Sequence, residues 1–555
     1  MVGTWNLADL FEAVVDRVPE REAVVSGADR LLYAELDERA NRMAHLLRSR
    51  GVGPGDRVGL ALRNGHEHLE ALLGAYKLRA VPFNVNDRYT AEEMTYLLGD
   101  ARPAVVLHEP DLSRVVAACV AALGADGRRV AILAGRGPAH ERDLVSASGL
   151  RPDRAGRSGD DRYLLYTGGT TGLPKGVEWR HADIVAAALG AGTDACRVGG
   201  SDAAPGDPDS FAERAVASRA RALPASPMIH GTAQWAALAT LLGGGTVLTL
   251  PASTFVAAEL WDVASAEAAT VVVIVGDAFA RPLADALARE PGRWDLGALG
   301  AVVSGGAILS PTVRAELVAR LPWVAVVDGY GTSETGGQGN AVTWPGQQPA
   351  PKTRFPLGAD SAVLDDEGSP LVVGIHTGRI GRIARRGPIP LGYRSDPERS
   401  ATTFPEIDGV RWAVPGDLGR IEADGTVTLL GRGTSSINTG GEKVFPDEVE
   451  AVLKAHPAIF DAAVVGVPDE RWGERVVAVV AFRPGRAVAA GDLEEHSRAH
   501  LAPYKVPRRI IEVDAVRRLP SGKPDQAWVR DTARSGASDP AGRPACPMAT
   551  PGLGA

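Results

Sequence analysis

Short apolar runs alternate with amphipathic helices from about residue 5 to residue 330, and this alternation constrains the fold more than any other feature of the chain. The runs at 57–62, 104–107 and 270–275 have the length and the Val, Leu and Ala content of buried strands. Between such runs, segments such as Leu7–Arg17 and 33–50 carry apolar residues at helical spacing. Strands that alternate with helices pair in parallel and are covered by those helices. The sequence therefore predicts an α/β fold built on parallel sheets.

The pattern changes twice further along the chain. After about residue 355, short strands separated by turns such as Asp424-Gly425 predict a small β-rich subdomain. From about residue 435 to residue 530, a helix over Pro446–Ala455 followed by two apolar runs predicts a separate α+β unit. We expect a large N-terminal domain, residues 1–432, made of two α/β subdomains and the β-rich subdomain, and then a mobile α+β C-terminal domain, residues 433–533.

Two segments have the composition of poorly packed chain. Residues 199–222 begin with a run rich in Gly, Asp, Ser and Pro and then become charged, which predicts a surface insertion. Residues 534–555 are rich in Ala, Gly and Pro, which predicts a disordered tail.

Composition excludes several classes of protein. The 60 Lys and Arg residues against 68 Asp and Glu residues give a net charge of -8, which disfavours nucleic acid as a partner because binding a phosphate backbone needs a basic face. The 3 cysteines are widely spaced and odd in number, so they predict neither a disulfide framework nor a zinc site. The N-terminus lacks the basic start and apolar run of a signal peptide, and the apolar runs are far shorter than the ~20 residues of a membrane span. We expect a cytoplasmic protein.

The most informative segment is the glycine- and hydroxyl-rich run at 166–176, Tyr-Thr-Gly-Gly-Thr-Thr-Gly-Leu-Pro-Lys-Gly. It follows a predicted strand, and in such a loop backbone N–H groups and Thr hydroxyls converge on phosphate oxygens while a lysine adds positive charge. It is not a Walker A loop, because Pro174 precedes Lys175 and Gly176 follows it. The glycines alone also fit a flexible turn; the hydroxyls and the Pro-Lys-Gly ending favour phosphate binding.

This segment resembles the signature loop of the adenylate-forming superfamily, which includes acyl-CoA synthetases, luciferases and the adenylation domains of non-ribosomal peptide synthetases. Further motifs that resemble those of the family follow in order, with Ser333 where the family usually has Thr. They are Tyr-Gly-Thr-Ser-Glu-Thr at 330–335, Gly-Tyr at 392–393, Pro-Gly-Asp-Leu at 415–418, Gly-Arg at 431–432, Gly-Gly-Glu-Lys-Val-Phe-Pro at 440–446 and Pro-Ser-Gly-Lys at 520–523. The resemblance runs from about residue 5 to residue 533. The residues of these motifs most resemble those of actinobacterial fatty-acyl-CoA synthetases, including those that act on bulky steroid side-chain acids.

The resemblance implies a site for ATP and Mg²⁺. Glu334 would be the Mg²⁺ ligand. Lys523 would reach from the C-terminal domain to the substrate carboxylate and the α-phosphate. The implied catalytic residues are Lys523, Glu334, Thr167 and Lys175. The residues implied to hold the β- and γ-phosphates are Thr167, Gly168, Gly169, Thr170, Thr171 and Lys175. The residues implied to surround adenine and ribose are Gly305, Gly306, Ala307, Asp328, Gly329, Tyr330, Gly331, Thr332, Asp417 and Arg432.

The implied chemistry explains why these residue types are needed. A carboxylate with a pKa near ~4 is already ionised at pH 7, so its attack on the α-phosphorus needs neutralisation of charge and no general base. The product is an acyl-adenylate, and the thiol of coenzyme A then displaces AMP. In the family the small domain rotates between the two steps about a hinge just after Arg432. Thr434 stands where the hinge is usually Asp or Lys, so Gly433 is an alternative pivot.

The substrate clues lie around residues 227–235. The segment lacks the Asp with which the amino-acid-activating branch binds an amine, which disfavours an amino-acid substrate. His230 resembles the histidine found there in acyl-CoA synthetases, although a lone histidine is more often a half-buried structural residue. The residues implied to form the substrate pocket are His230, Gly231, Gln234, Trp235, Gly305 and Thr335.

The sequence therefore predicts an acyl-CoA synthetase that uses ATP, Mg²⁺ and coenzyme A on a small carboxylic acid. The alternative is an adenylate-forming enzyme with another acid or acceptor, such as an ATP-dependent diazotase that activates nitrite. A non-catalytic adenylate-binding scaffold is disfavoured by Glu334, Asp417 and Lys523, and a homodimer is left open. The segment at 66–70, His-Glu-His-Leu-Glu, has the wrong spacing for a zinc protease and predicts an exposed helical turn.

Overall fold

A computed structural model describes most of the chain. The described residues are 5–169, 172–190, 207–250, 255–350, 353–433, 436–439, 442–469, 472–486, 488, 491–519 and 522–535. The predicted tail, apart from its first two residues, and the start of the predicted insertion lie outside them.

The α-helices of the described residues are α1 (Leu7–Arg17), α2 (Tyr33–Ser49), α3 (His66–Lys77), α4 (Ala91–Ala101), α5 (Ser113–Ala122), α6 (Pro138–Ser146), α7 (His181–Ile184), α8 (Pro208–Ala217), α9 (Gly231–Leu242), α10 (Ala257–Ala266), α11 (Gly276–Arg289), α12 (Pro311–Arg320), α13 (Pro397–Thr403), α14 (Pro446–Ala455), α15 (Asp492–His500) and α16 (Gln526–Ser535).

The strands of the N-terminal half are β1 (Glu22–Ser26), β2 (Asp29–Leu32), β3 (Arg57–Ala61), β4 (Val81–Asn84), β5 (Val105–His108), β6 (Ala131–Ala134), β7 (Arg162–Gly169), β8 (Gly172–Arg180), β9 (Arg221–Pro224), β10 (Thr246–Thr249), β11 (Val271–Ile274), β12 (Ala301–Gly305), β13 (Ala325–Thr332) and β14 (Gly336–Thr343). The strands after them are β15 (Ser361–Leu364), β16 (Ile380–Arg385), β17 (Gly392–Tyr393), β18 (Glu406–Ile407), β19 (Val410–Arg411), β20 (Asp417–Ile421), β21 (Val427–Arg432), β22 (Ile437–Thr439), β23 (Glu442–Val444), β24 (Ile459–Asp469), β25 (Gly473–Phe482) and β26 (Arg509–Glu512).

Two largely parallel sheets form the N-terminal part. The larger has eight strands in the order β14-β13-β12-β11-β9-β10-β1-β2, parallel except for the antiparallel edge strands β14 and β2. The smaller is the parallel sheet β4-β3-β5-β6. Helices cover both sheets, because strands buried on both faces, such as Val105–His108, need apolar cover on each side. The predicted α/β fold class is confirmed.

Two smaller antiparallel units follow along the chain. The sheet β15-β16-β20-β21 is the predicted β-rich subdomain. The C-terminal residues form a sheet of their own, β23-β22-β25-β24, with β26 parallel to β25, and have apolar cores on both faces. The α+β character expected for the C-terminal unit is confirmed.

Three local predictions are wrong. Residues 208–217 form helix α8, which packs on α1 through the buried side chains of Phe211 and Ala215, and residue 221 begins the inner strand β9, so this half of the expected surface insertion belongs to the core. The segment 166–176 was expected to be a loop, but its described residues lie in strands β7 and β8, which pair as an antiparallel hairpin. The segment 66–70 begins α3 and is buried, because Glu70 pairs there with His66 and Arg39.

A buried ion-pair cluster ties α1, α2 and α3 together. Lys77 Nζ lies 2.5 Å from Glu12 Oε1 and 2.7 Å from Asp37 Oδ1, and the side chains of Lys77 and Glu12 are wholly buried. Charges can be buried at this depth only when each has a partner, because an unpaired ion in the interior keeps its full desolvation cost. The cluster therefore fixes the mutual packing of the first three helices.

We predict that Lys77→Met lowers the free energy of unfolding by ~1–3 kcal/mol, because two buried carboxylates lose the cation that they share. The loss is limited because Glu12 keeps its ion pairs with Arg154 and Arg157, and Asp37 keeps its pair with Arg151. Urea denaturation followed by circular dichroism measures the change. The control is Arg399→Ala, which removes a half-exposed pair with Asp396 and should cost less than ~1 kcal/mol. Equal stability of Lys77→Met and the unmodified protein would contradict the assignment.

Candidate active site

A cavity of about 1820 Å³ lies between the carboxyl ends of the parallel strands and the C-terminal domain. Residues that follow or end β11, β12 and β13 form one wall, the hairpin β7–β8 forms another, and Lys523 reaches it from the C-terminal side. Ligands of open α/β sheets bind at this end of the strands, where the loops diverge. The cavity is therefore the candidate active site.

Strand register brings the glycine-rich segments of β12 and β13 side by side. Ser304 pairs with Asp328 and Gly305 pairs with Gly329. Gly306 has φ +80, and a Cβ placed there would lie 2.9 Å from Thr232 Oγ1. A Cβ on Gly329 would lie 3.3 Å from Ser304 O. The backbone thus lines a slot that side chains would narrow, and such a slot suits a planar base.

Asp328 lies at the floor of this slot and is almost fully buried. Burial raises the pKa of its carboxyl to about 7, although the guanidinium of Arg314 at 3.7 Å opposes the shift. At neutral pH the carboxyl therefore exchanges a proton readily, and its ionised form can accept a hydrogen bond from an amino group of a bound base.

Tyr330 and Asp417 meet at the opposite side of the slot. The Tyr330 hydroxyl donates to Asp417 Oδ2 at 3.2 Å, and the Tyr330 ring packs on Phe355 with 5.7 Å between ring centroids. Asp417 opens strand β20, where it pairs in register with Arg432 of β21. A carboxylate can accept hydrogen bonds from paired hydroxyls such as those of a ribose.

Glu334 and Lys175 belong to the polar part of the cavity lining, and Tyr393 lies beside both of them. The Tyr393 hydroxyl donates to Glu334 Oε1 at 2.8 Å, and Lys175 Nζ lies 5.8 Å from the centroid of the Tyr393 ring. Thr167 pairs with Lys175 across the hairpin. A carboxylate, an ammonium group and hydroxyls therefore lie close together beside the hairpin β7–β8. Gly168 and Gly169 end β7, whereas Thr170 and Thr171 lie outside the described residues.

His230 and Lys523 both line the cavity, close enough for the charge of Lys523 to act on the imidazole. Burial, helped by the positive charges of Lys523 and Arg88, lowers the pKa of His230 to about 4, so the imidazole is neutral at pH 7. Its buried Nε2 has no hydrogen-bond partner among the described residues. A molecule bound in the cavity could supply that partner.

An apolar branch of the same cavity runs between α9 and strands β9, β11 and β12. Its walls are unusual in that most of them are small or β-branched side chains. They include Ala186, Ala187, Ala188, Gly190, Ala222, Ala236, Ala239, Val271, Val273 and Val303. Trp235 lies at the mouth of the branch, where its Nε1 donates to the Tyr163 hydroxyl at 2.9 Å. Small side chains leave room here for a long or bulky apolar group.

The structure brings most of the expected residues to the cavity wall, and it places the described side chains of Gln234 and Thr335 elsewhere. The side chain of Arg432 lies outside the part of the chain that the structure describes. The cavity is lined by His230, Gly231, Trp235, Gly305, Gly306, Ala307, Asp328, Gly329, Tyr330, Gly331, Thr332, Glu334, Asp417 and Lys523, together with Thr167 and Lys175. Gln234 is instead buried in the core, where it accepts from the Tyr163 hydroxyl and donates to Met228 O. Thr335 is also buried, bonded to the backbone of Thr332 and Gly336. Both were expected in the substrate pocket and do not line it.

Sequence reasoning missed three residues of the site. Tyr393 was recognised as part of a motif, but nothing in the sequence places its hydroxyl on Glu334. Phe355 has no motif around it. Asn84 ends the buried strand β4, and its side chain bonds Tyr166 on one side and Ile229 O at 2.7 Å on the other, which ties the hairpin to the His230 segment. A polar residue at the carboxyl end of a buried strand is a signal that could have found Asn84.

Family models match nearly the whole of this arrangement. Residues 11–393 match the family described as AMP-binding enzyme, and residues 448–523 match the AMP-binding enzyme C-terminal domain. The chain belongs to the AMP-binding enzyme family. Both the N-terminal part that carries the slot and the C-terminal part that carries Lys523 are thus accounted for.

Relatives and solved structures agree with this membership. The chain is 43% identical over 538 residues to the 3-oxocholest-4-en-26-oate--CoA ligase of Rhodococcus rhodochrous, with 95% of each chain covered. It is 41% identical over 549 residues to the medium/long-chain-fatty-acid--CoA/3-oxocholest-4-en-26-oate--CoA ligase of Mycolicibacterium smegmatis, covering 96% of this chain and 97% of the relative. ATP-bound MatB from Rhodopseudomonas palustris superposes with a TM-score of 0.79 at 28% identity, covering 95% and 99% of the two chains.

Among the described residues, none of the helices combines the length and the apolar composition needed to cross a membrane.

We predict that Asp417→Asn raises the Kd for ATP by ~10–100-fold, because hydrogen bonds to a charged group are worth ~1.5–3 kcal/mol each and the amide keeps the shape without the charge. Isothermal titration calorimetry measures the change. The matched control is Asp424→Asn, an exposed turn residue between β20 and β21 whose loss should leave the Kd unchanged. An unchanged Kd for Asp417→Asn would remove Asp417 from the nucleotide site.

Proposed function

We propose that this AMP-binding enzyme is an ATP-dependent carboxylic acid–CoA ligase whose substrate is a long-chain or bulky apolar acid. The single observation that carries the substrate class is the apolar branch, which opens on the same cavity as the nucleotide slot and is walled by small side chains. The relatives support it, since their names give medium- and long-chain fatty acids and 3-oxocholest-4-en-26-oate as the acids that they join to CoA.

In the first half-reaction the acid would lie with its tail in the apolar branch and its carboxylate beside His230 and Lys523. A carboxylate oxygen attacks the α-phosphorus of ATP, the new O–P bond forms, and the bond to the β-phosphate oxygen breaks, which releases pyrophosphate. Both reactants are anions, so the main requirement is neutralisation of charge. Lys523 would supply positive charge at the α-phosphate, and Lys175 would supply it at the departing pyrophosphate. His230 is neutral at pH 7 and would contribute no charge.

The polar part of the cavity lining fits a Mg²⁺ ion. Glu334 offers one carboxylate held in place by the Tyr393 hydroxyl, with the hydroxyl of Thr332 nearby, and Mg²⁺ usually takes one or two protein carboxylates and completes its shell with phosphate oxygens and water. We propose Glu334 as the Mg²⁺ ligand. When bound, the ion supplies positive charge that stabilises the phosphoryl oxygens.

In the second half-reaction the sulfur of CoA attacks the acyl carbon, the C–S bond forms, and the C–O bond to the phosphate breaks with release of AMP. The thiol proton passes to water in this step. Lys523 would then no longer be needed, and the C-terminal domain would rotate to admit CoA. We propose Gly433 as a pivot; Thr434 lies outside the described residues.

A diazotase that activates nitrite is not favoured. Nitrite is a three-atom anion, and it would leave the apolar branch between α9 and the strands without an occupant. The relatives at 41–43% identity are CoA ligases by name. The fit of the branch to an acyl group is the observation that separates the two functions.

We predict that Lys523→Ala slows formation of the acyl-adenylate by ~10²–10³-fold, the cost of losing one transition-state charge stabiliser. Acid-dependent exchange between ATP and labelled pyrophosphate measures this step. Thioester formation from synthetic palmitoyl-adenylate and CoA should change less than about twofold, because Lys523 would act only in the first step. Equal losses in the two assays would contradict the proposed division of labour.

We predict that Ala236→Phe lowers kcat/KM for palmitate and for a steroid side-chain acid on the order of 100-fold, because the ring fills the apolar branch. The same variant with propionate serves as the internal control and should stay within about threefold of the unmodified enzyme, since a short acid does not reach the blocked part. A variant that loses palmitate and propionate activity equally would place the acyl tail elsewhere.

A further inference from the structure

A chain of charged side chains connects the N-terminal domain to the loop that carries Lys523. Lys454 Nζ of α14 lies 3.4 Å from Asp277 Oδ2 of α11 and 3.9 Å from Asp461 Oδ1. Asp461 in turn holds Arg518 through two contacts of 2.7 Å, one to each carboxylate oxygen. Arg518 Nη1 donates to Gly522 O at 2.6 Å, the carbonyl of the residue just before Lys523.

The N-terminal end of this network is fixed to the base slot. Asp277 Oδ1 accepts from Ser310 N at 2.8 Å, and Asp277 N donates to Ile308 O at 3.1 Å. The preceding residue, Gly276, donates from its N–H to Ser304 Oγ at 3.0 Å. Ser304 and Ile308 flank the segment that borders the slot, so the carboxylate of Asp277 moves with the wall of the nucleotide site.

The other end of the network is the tight turn that presents Lys523. Leu519 N donates to Lys523 O and Gly522 N donates to Leu519 O, both at 2.8 Å. Gly522 packs against α11: a Cβ placed there would lie 3.1 Å from Phe279 Cε2 and 3.2 Å from Val275 O. The turn therefore rests on the same helix start that carries Asp277, with Arg518 holding its carbonyl.

The charges of the network are compatible with a contact between the two domains that forms and breaks. Lys454 and Asp277 are almost fully buried, and a buried ion without a partner is costly. Burial disfavours the charged form of Lys454, but Asp277, Glu450 and Asp461 together outweigh it and raise the Lys454 pKa. Glu450 and Asp461 belong to the C-terminal domain itself, so Lys454 keeps compensating charge when that domain leaves Asp277. When the C-terminal domain docks, the carboxylate of Asp277 becomes the third one beside Lys454.

We propose that Lys454 and Asp277 are positioning residues that orient Lys523 for adenylate formation when the C-terminal domain docks. The ion pair fixes the docked position of α14, and Asp461 and Arg518 transmit that position to the Lys523 turn. This inference rests on the proposed role of Lys523 in the first half-reaction. Lys454 itself would not contact a reacting atom.

The test uses the full-length enzyme with palmitate. Lys454→Met should lower kcat for acid-dependent ATP–pyrophosphate exchange by on the order of 10–100-fold, the size expected when a catalytic group is misplaced, with the KM for ATP changed less than about threefold. Thioester formation from palmitoyl-adenylate and CoA should stay within about twofold, which also shows that the variant is folded. Asp277→Asn should act in the same direction, and Lys454→Arg should restore part of the loss.

Two comparisons separate positioning from simple docking. Arg483→Met removes another cation between the domains, which lies 3.2 Å from Asp285 and 2.8 Å from Glu316 but does not touch the network, and it should cost less than about threefold. In the Lys523→Ala background, Lys454→Met should cost less than about twofold more, because the residue it orients is gone.

Three outcomes would overturn the inference. They are an unchanged exchange rate in Lys454→Met, an equal loss in Arg483→Met, and a full additional loss in the Lys523→Ala background. If Lys523→Ala itself left exchange intact, the proposed role of Lys523 would fall and the network with it. If Lys523→Ala lost exchange while Lys454→Met did not, the network alone would fall.

Discussion

The pairing of three neighbouring parallel strands, β11, β12 and β13, sets the position of the glycine-lined slot and of Asp328 within it. Their register brings Ile274, Ser304 and Asp328 into line, and the chain leaves the sheet at this edge with glycines where a base must approach the backbone. A slip of one residue would turn every side chain to the other face. The helices that bury these strands therefore also determine the shape of the nucleotide slot.

The proposed reaction brings two anions together in a site that has few positively charged side chains. A carboxylate must approach a polyanion, yet the protein has a net charge of -8, so its overall field does not attract anions. In the proposed mechanism neutralisation is instead local, through Lys175 and Lys523, which both line the cavity. Lys523 belongs to the C-terminal domain, so under this proposal its charge would be available only while that domain is docked, and the two half-reactions would use different surroundings.

Much of the fold could be predicted because the period of the apolar residues is a local property: helices Leu7–Arg17 and Pro446–Ala455 begin and end as expected. Most of the residues that the motifs pointed to also line the cavity. Side-chain direction was not predictable: Gln234 and Trp235 are neighbours on α9 and both bond the Tyr163 hydroxyl, yet of the two only Trp235 lines the cavity. Contacts between distant segments, such as Tyr393 on Glu334, leave no local signal in one sequence.

The central claim is that the acid carboxylate itself attacks the α-phosphorus of ATP. Turnover of palmitate labelled with ¹⁸O in its carboxylate, in the presence of ATP, Mg²⁺ and CoA, followed by mass spectrometry of the products, tests it most directly. The account predicts one labelled oxygen in AMP and none in pyrophosphate, because the oxygen that forms the bond to phosphorus stays with AMP when CoA takes the acyl group. Unlabelled AMP, or label in pyrophosphate or phosphate, would contradict it.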